Sequence, residues 1–176
     1  VHRNDGLYRH WPGVEAAWGR GNGFPAVGLA MCLSDFPASH PAYGDLMSGY
    51  REHMNALAKH QDPNGCWHQI IDRPGSYREL TCTCMIGFAM LRGIRKGWLP
   101  QEHFQPVVDR AWYAVKQRIA PGGELVDVCT GTGKQKDLRA YYDRKAIRGR
   151  DARGGAMALL FTSEVVRAGR DSSTKE

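Results

Sequence analysis

The sequence predicts an all-helical chain in which about three helical hairpins stack side by side as part of a ring. Three observations lead to this class. Helical periodicity recurs in five segments, Pro- and Gly-rich turns separate those segments, and a short strand-like piece returns about every 58 residues. Stacked hairpins produce this pattern, since each hairpin buries its apolar face only against its neighbours.

Pro- and Gly-rich stretches separate the predicted helices, and short strand-like pieces lie between them. The third is predicted to start from a capping box, in which Ser76 and Glu79 satisfy each other's backbone N–H groups. Its apolar residues form a surface too broad for one stripe, which predicts burial on most sides. The strand-like pieces begin at Gly6, Gly65 and Gly122, where apolar and polar side chains alternate. We place the helices at residues 24–36, 42–61, 79–97, 101–120 and 153–168.

The pattern predicts a single domain over residues 1–168, followed by a flexible C-terminal tail over residues 169–176. A closed ring of hairpins usually needs about twice as many repeats as this chain holds, so we expect half of the ring to be missing. The sequence starts at Val1, and its opening stretch lacks the apolar core of a signal peptide, which indicates a cut start. An open solenoid of three hairpins is the alternative that periodicity leaves open.

Composition excludes several classes of partner. The net charge of +6 raises the possibility of a nucleic-acid groove. The basic residues concentrate in 134–153, however, where acidic residues interrupt them and no nucleic-acid motif is present, so a solvated face is the favoured interpretation. A small anionic substrate is a further interpretation of this charge. No apolar run approaches the roughly 20 residues that span a bilayer, so we expect neither a nucleic-acid nor a membrane partner.

Cysteine usage indicates a reducing compartment, and we expect a cytoplasmic location. The five cysteines form an odd set without repeated CxxC spacing, which argues against a disulfide framework. Cys82 and Cys84 are one residue apart on a predicted helix, where they point in different directions and are poorly placed to share a zinc ion. We interpret them as buried small hydrophobic residues.

The strongest candidate site is the stretch from Trp18 to Phe24, which leads directly into a predicted helix. Its three glycines let the backbone approach a ligand closely. Trp18 and Phe24 offer aromatic faces for sugar C–H surfaces, and Arg20 offers two parallel hydrogen bonds to a carboxylate. Together with the amide of Asn22, this set suits an acidic sugar. The alternative is a tight turn with core aromatic rings and an arginine that caps a neighbouring helix.

Other candidates carry weaker signals. His10 is a second candidate ligand contact, although a lone histidine beside aromatic residues is commonly a structural hydrogen-bonding group. Asp72 and Glu79 suggest a carboxylate pair for glycoside hydrolysis, but Glu79 is already used by the predicted cap. The stretch from Gly131 to Lys134 approaches a phosphate-binding loop without completing its pattern.

The motifs along the chain resemble those of a known enzyme group when their order and spacing are taken together. They are D-G-L-x-x-H at 5–10, W-x-R-G-N-G at 18–23, H-P at 40–41, Q-D-P-x-G-x-W-x-Q-x-x-D-x-P at 61–74, E-x-T-x-T at 79–83 and D-x-x-G-x-A at 151–156, before Glu164. On these residues the chain resembles the unsaturated glucuronyl and rhamnogalacturonyl hydrolases, glycoside hydrolase families 88 and 105. The resemblance covers nearly the whole chain.

This resemblance implies a six-hairpin α/α toroid that acts on oligosaccharides ending in a 4,5-unsaturated uronic acid, such as those released from pectin. The family hydrates the vinyl ether with a protonated aspartic acid and uses neither a metal nor an organic cofactor. His10, Trp18 and Arg20 match family residues that line the substrate pocket. Phe24 stands where many members have a tryptophan.

The central acid/base aspartate of the family lies upstream of the matched motifs, and no residue of this sequence corresponds to it. The chain is therefore expected to supply the substrate-binding half of a hydrolase, with an acidic oligosaccharide as substrate and with either a missing N-terminal half or self-association completing it. The alternative is a non-catalytic carbohydrate-binding or helical scaffold protein that lacks the acid.

Overall fold

The computed structural model describes residues 1–173, with side chains described as far as residue 171. All five predicted helices are present within a few residues of their expected positions, and the predicted all-α class is confirmed. The helices are α1 (Gly19–Asp35), α2 (Tyr43–Lys59), α3 (Leu80–Arg95), α4 (Gln101–Lys116), the short α5 (Leu138–Tyr142) and α6 (Ala152–Ser173). The strands are β1 (Trp67–His68), β2 (Arg78–Glu79), β3 (Leu125–Cys129) and β4 (Ala146–Gly149).

The helices form an inner and an outer layer. Helix α3 lies at the centre of the inner layer and packs against α1 on one side and α6 on the other. Helices α2 and α4 form the outer layer, each packed against the inner helix that precedes it. The described residues thus contain two complete hairpins, α1/α2 and α3/α4, and a further inner helix, α6.

Helix α3 is surrounded by protein, as its broad apolar surface predicted. Every residue from Leu80 to Leu91 is buried. Close packing against α6 depends on Gly87, where an added Cβ would lie 2.6 Å from the ring of Phe161. A mid-helix glycine costs about 1 kcal/mol of helix propensity, and the close packing of the two helices offsets that cost.

Short antiparallel ribbons join the helices at the end of the molecule where α1, α3 and α6 begin. Strand β1 pairs with β2, and β3 pairs with β4. The predicted strand-like pieces after Gly65 and Gly122 are therefore present as β1 and β3. The piece after Gly6 forms only isolated bridges. A further bridge pairs Trp18 with Ile70 and fixes the residue that precedes α1.

The predicted start of the first helix is wrong by five residues, because α1 begins at Gly19 and not at Phe24. The glycines of this stretch lie in the first turns of the helix. An added Cβ at Gly19 would lie 2.6 Å from the carbonyl oxygen of His68, and one at Gly23 would lie 2.8 Å from the sulfur of Met85. Both glycines serve internal packing.

The predicted capping box is also wrong, because Glu79 is itself the N-cap of α3. Its carboxylate accepts hydrogen bonds from the backbone N–H groups of Thr81 at 2.9 Å and Cys82 at 2.6 Å. The Ser76 hydroxyl instead accepts the N–H of Ile70 at 3.0 Å. The helix therefore starts three residues later than a cap at Ser76 would require.

The C-terminal helix continues beyond the predicted end of the domain. Helix α6 runs to Ser173, although the tail was expected to start at residue 169, and residues 174–176 lie outside the described part of the chain. The flexibility of the tail stays a prediction. Among the described residues, no helix is both long and apolar enough to cross a membrane.

Candidate functional site

A cavity of about 520 Å³ opens where the inner helices begin. Its walls come from the first turns of α1 and α6, from α3, and from the segment 129–132 that continues β3. Most of the lining is apolar, and two guanidinium groups provide the charge. The lining residues are Trp18, Arg20, Phe24, Met85, Gly131, Ala152, Arg153, Ala156 and Met157.

Arg20 is the central polar residue of this cavity. Its side chain is only 5% exposed, and it lies 5.3 Å from the centre of the Trp18 ring. Nη1 donates a hydrogen bond to the carbonyl of Cys129 at 2.9 Å, and Nη2 donates to the carbonyl of Thr130 at 2.8 Å. A guanidinium has five N–H groups, so these two bonds leave donors for a ligand.

Glu79 holds the same segment through the other backbone group of Cys129. Its Oε1 accepts the backbone N–H of Cys129 at 2.8 Å, while Arg20 binds the carbonyl of that residue. Glu79 is fully buried, and its other bonds cap α3. A buried carboxylate and a buried guanidinium thus both bind the backbone of Cys129, which restrains this part of the cavity wall.

The charge of Arg20 has no direct partner among the described residues, where no carboxylate forms an ion pair with it. Burial of an unpaired guanidinium is unfavourable by several kcal/mol, even after relaxation. The two carbonyl groups, the face of Trp18 and the nearby Glu79 offset part of this cost. An anion bound in the cavity would offset the rest of the cost of burying the Arg20 charge.

His10 lies behind Trp18 and not in the cavity wall. The two rings are 4.6 Å apart between centroids, and Nδ1 of His10 is 2.6 Å from the hydroxyl of Tyr141. Burial lowers the pKa of His10, and the positive charges of the N-terminus and Lys134 lower it further. A neutral imidazole therefore supports the Trp18 ring.

Asn22 is fully buried and its amide is used within the protein. Its Oδ1 accepts the N–H of Tyr8 at 2.8 Å, and its Nδ2 donates to the carbonyls of Tyr8 and Trp18, both at 2.9 Å. Phe24, by contrast, is 58% exposed at the rim of the cavity. The structure thus brings Trp18, Arg20 and Phe24 together and leaves Asn22 outside; binding of substrate by any of them stays a prediction.

Several lining residues were missed in the sequence. Met85 and Met157 resemble ordinary core residues of a helix, and only packing shows that they face a cavity. Arg153 belongs to the basic stretch that was interpreted as a solvated face. For this residue the interpretation needs correction, because the first turn of α6 carries Arg153 to the cavity.

The described lining combines two guanidinium groups with apolar surface, which suits an acidic, partly apolar ligand. None of the nine described lining residues is a carboxylic acid. Asp72, the other carboxylate considered in the sequence, pairs with Arg3 at 2.9 Å away from the cavity. No group of three or more His, Cys, Asp or Glu side chains among residues 1–173 is arranged to hold a metal ion.

Known proteins share both the sequence pattern and the fold. Residues 6–169 match the model described as Glycosyl Hydrolase Family 88. An unsaturated rhamnogalacturonyl hydrolase from Bacillus subtilis is 29% identical over 152 residues, which cover 85% of this chain and 41% of that protein. An unsaturated 3S-rhamnoglycuronyl hydrolase from an Alteromonas species is 28% identical over 156 residues, which cover 88% of this chain and 36% of that protein.

The fold has a counterpart in the crystal structure of a possible member of the GH105 family from Klebsiella pneumoniae. The TM-score is 0.87 at 30% sequence identity, and the match covers 95% of this chain and 45% of that chain. This likeness confirms the fold class predicted from the sequence. The chain spans less than half the length of each of these relatives.

Proposed function

Because the chain belongs to glycosyl hydrolase family 88, as its motifs predicted, we propose that it forms the carboxylate-binding side of a site that hydrolyses unsaturated uronyl oligosaccharides. The proposed substrate is of the 4,5-unsaturated galacturonyl-rhamnose type, which arises in pectin degradation. The names of the relatives from Bacillus subtilis and the Alteromonas species support an unsaturated uronyl substrate.

The observation that carries this proposal is the buried guanidinium of Arg20 at the edge of an apolar cavity. A substrate carboxylate placed against its remaining N–H groups gains charge-assisted hydrogen bonds in a site with little competing water. The rings of Trp18 and Phe24 offer stacking surfaces for the apolar faces of the sugar. The same cavity thus recognises both the charge and the faces of an acidic sugar.

In this proposal the proton for the vinyl ether comes from a group outside residues 1–173, because no carboxylic acid lines the cavity. The chain contributes binding and orientation. These lower the barrier by holding the ring where an acid and a water molecule can reach it. The cytoplasmic location inferred from the cysteines belongs to the same proposal.

A second candidate function is non-catalytic binding of acidic carbohydrate. The lack of a carboxylic acid among the described lining residues favours it, since a pure binding site needs Arg20 and the aromatic rings but no proton donor. Both candidate functions involve the same class of ligand, but only the first includes turnover of that ligand.

One assay separates them. Unsaturated rhamnogalacturonan and glycosaminoglycan disaccharides lose their ultraviolet absorbance when the double bond is hydrated. The assay is run with the 176-residue chain and with any upstream-encoded segment restored. Loss of absorbance with the longer protein, together with binding by the chain alone, is the expected result. Binding without turnover by either form selects the second candidate, and absence of binding by both forms removes both candidates.

A further inference from the structure

The orientation of the Trp18 ring is set by its neighbours and not by a hydrogen bond of its own. Within residues 1–173 its Nε1 has no hydrogen-bond partner, although the atom is buried. The ring lies against the first turn of α1, where an added Cβ at Gly21 would be 2.9 Å from Cε3 of the indole. Backbone pairing with Ile70 fixes the main chain of Trp18, so packing contacts decide where the ring points.

His10 supplies one of these packing contacts. Its imidazole is 4.6 Å from the Trp18 ring between centroids, and the two ring planes are 51° apart. His10 is itself held by Tyr141, whose hydroxyl lies 2.6 Å from Nδ1 of the imidazole. Because a hydrogen bond is directional, this bond restricts rotation of the imidazole. The ring that supports Trp18 therefore depends on a tyrosine hydroxyl.

Tyr141 is well placed to act as an anchor. It is fully buried, and it belongs to the same small apolar cluster as Trp18. Trp11, the residue after His10, donates from Nε1 to the carbonyl of Gln135 at 3.1 Å. Residues 10 and 11 thus contact two points of the segment that carries Tyr141, which holds the hydroxyl in position relative to the imidazole.

Tyr141 is not one of the nine described residues that line the cavity, so any effect on a ligand there is indirect. We infer that Tyr141 is a positioning residue, which sets the orientation of the Trp18 ring through His10 and thereby the stacking surface that meets a sugar. This inference rests on the proposed function, in which Trp18 stacks on the sugar. The sequence alone hides the connection, because Tyr141 and His10 are 131 positions apart.

Ligand binding gives the first test. The 176-residue chain is titrated calorimetrically with an unsaturated galacturonyl-rhamnose disaccharide. Tyr141→Phe removes only the hydroxyl and is expected to weaken binding about fivefold, as for the loss of one neutral hydrogen bond. Tyr142→Phe is the matched control and should bind like the wild type. It makes the same change at the next residue, whose hydroxyl lies near Gly75, where an added Cβ would be 3.9 Å away.

A double-mutant cycle separates positioning from general loosening of the fold. Phenylalanine in His10→Phe keeps an aromatic ring against Trp18 but cannot accept a hydrogen bond from Tyr141. If Tyr141 acts through His10, Tyr141→Phe has no further effect on affinity in this background. An equal loss of affinity in both backgrounds would overturn the inference, because the hydroxyl would then act by another route. Urea unfolding verifies that each variant is folded.

The indole N–H of Trp18 reports the position of the ring without any ligand. Its nitrogen–proton NMR signal is identified as the one that is missing from Trp18→Phe. We expect this signal to shift in Tyr141→Phe and to keep its position in Tyr142→Phe. An unchanged signal in Tyr141→Phe would show that the hydroxyl does not set the ring, and the inference would be wrong.

Failure of the inference differs from failure of the proposed function. Equal affinity of the wild type and Tyr141→Phe for the disaccharide overturns the inference and leaves the proposed function intact. A wild-type chain that does not bind the disaccharide removes the proposed function and the inference with it. A loss in Tyr142→Phe as large as in Tyr141→Phe would assign the effect to α5 as a whole and not to the bond with His10.

Discussion

Arg20 combines two tasks that are commonly divided between residues. Its guanidinium fixes the wall of the cavity through Cys129 and Thr130, and it is also the buried cation that a substrate carboxylate would meet. In the proposed function, replacement of Arg20 therefore removes a ligand contact and also loosens the wall. A lysine keeps the charge but cannot reproduce the planar fork that reaches both carbonyl groups.

We predict that Arg20→Ala, in a form of the protein that turns over substrate, lowers kcat/KM by about 30-fold, equivalent to about 2 kcal/mol of transition-state binding. Arg20→Lys is expected to recover only part of this loss. Steady-state kinetics on an unsaturated disaccharide measure both variants. Arg51→Ala, at an exposed position whose Nε donates to the carbonyl of Trp98 outside this cavity, serves as control. Unchanged kcat/KM in Arg20→Ala would remove this residue from the site.

The contact between His10 and Tyr141 allows a prediction about a proton. If the tyrosine hydroxyl donates to Nδ1, the neutral imidazole carries its hydrogen on Nε2. Burial and nearby positive charge lower the pKa of His10 and keep this form neutral. Nitrogen-15 NMR of the imidazole is expected to show the Nε2–H form in the wild type and a mixture of both forms in Tyr141→Phe. Observation of the Nδ1–H form in the wild type would reverse the direction of the bond.

At the scale of elements, one buried carboxylate joins the inner helices. Glu164 of α6 accepts hydrogen bonds from Arg92 at 2.7 Å and Arg95 at 2.9 Å, both from α3. Arg92 also donates to Ser34 of α1 at 2.9 Å. Glu164 closes the last motif found in the sequence, and the structure gives that residue a role in holding α1, α3 and α6 together.

This network predicts a pH-dependent contribution to stability. Burial opposes ionisation of Glu164, but hydrogen bonds from Arg92 and Arg95 outweigh it and lower the pKa of the carboxyl below 4.5. Because its pKa is lower in the folded than in the unfolded state, the ionised carboxyl stabilises the folded state at pH values above its unfolded-state pKa. This stabilisation is lost as the pH falls through the folded-state pKa. We expect Glu164→Gln to lower the free energy of unfolding by about 3 kcal/mol at pH 7.

Urea unfolding of both proteins between pH 7 and pH 3 measures this contribution. The difference between wild type and Glu164→Gln should be constant above about pH 5 and should shrink below it. Asp143→Asn, which removes an exposed pair with Arg139, is the control and is expected to leave the urea midpoint unchanged. A difference that stays constant down to pH 3 would contradict the role assigned to the Glu164 carboxylate.

The elements that could be predicted from the sequence are those whose signals are local in the chain. Periodicity is a local signal, and it located five helices. The start of α1 was missed because glycines at 19, 21 and 23 are typical of turns. The proximity of His68 to Gly19 and of Met85 to Gly23 explains two of them, and that proximity is visible only in the fold. Arg153 was missed as a site residue because its position depends on how the segment from β3 to α6 folds back onto α1. That information lies in tertiary contacts.

At the scale of the whole molecule, the two edges of the inner layer expose apolar residues. Helices α1 and α6 flank α3, and each carries two large exposed apolar side chains seven residues apart. Such spacing puts both residues of a pair on one face of the helix. These residues are Phe24 (58% exposed) and Met31 (41%) on α1, and Leu159 (70%) and Val166 (47%) on α6.

We predict that the 176-residue chain self-associates through these edges, because apolar faces of this kind favour contact with another helical surface. Sedimentation velocity over a range of concentrations is expected to show dimers or larger species, and the double change Leu159→Lys and Val166→Lys should shift the distribution toward monomer. Tyr113→Lys is the matched control, since Tyr113 is 62% exposed on the outer helix α4 and should not alter association. A wild-type chain that stays monomeric at all concentrations would contradict this, and equal effects of the two sets of changes would place the contact outside the edge of α6.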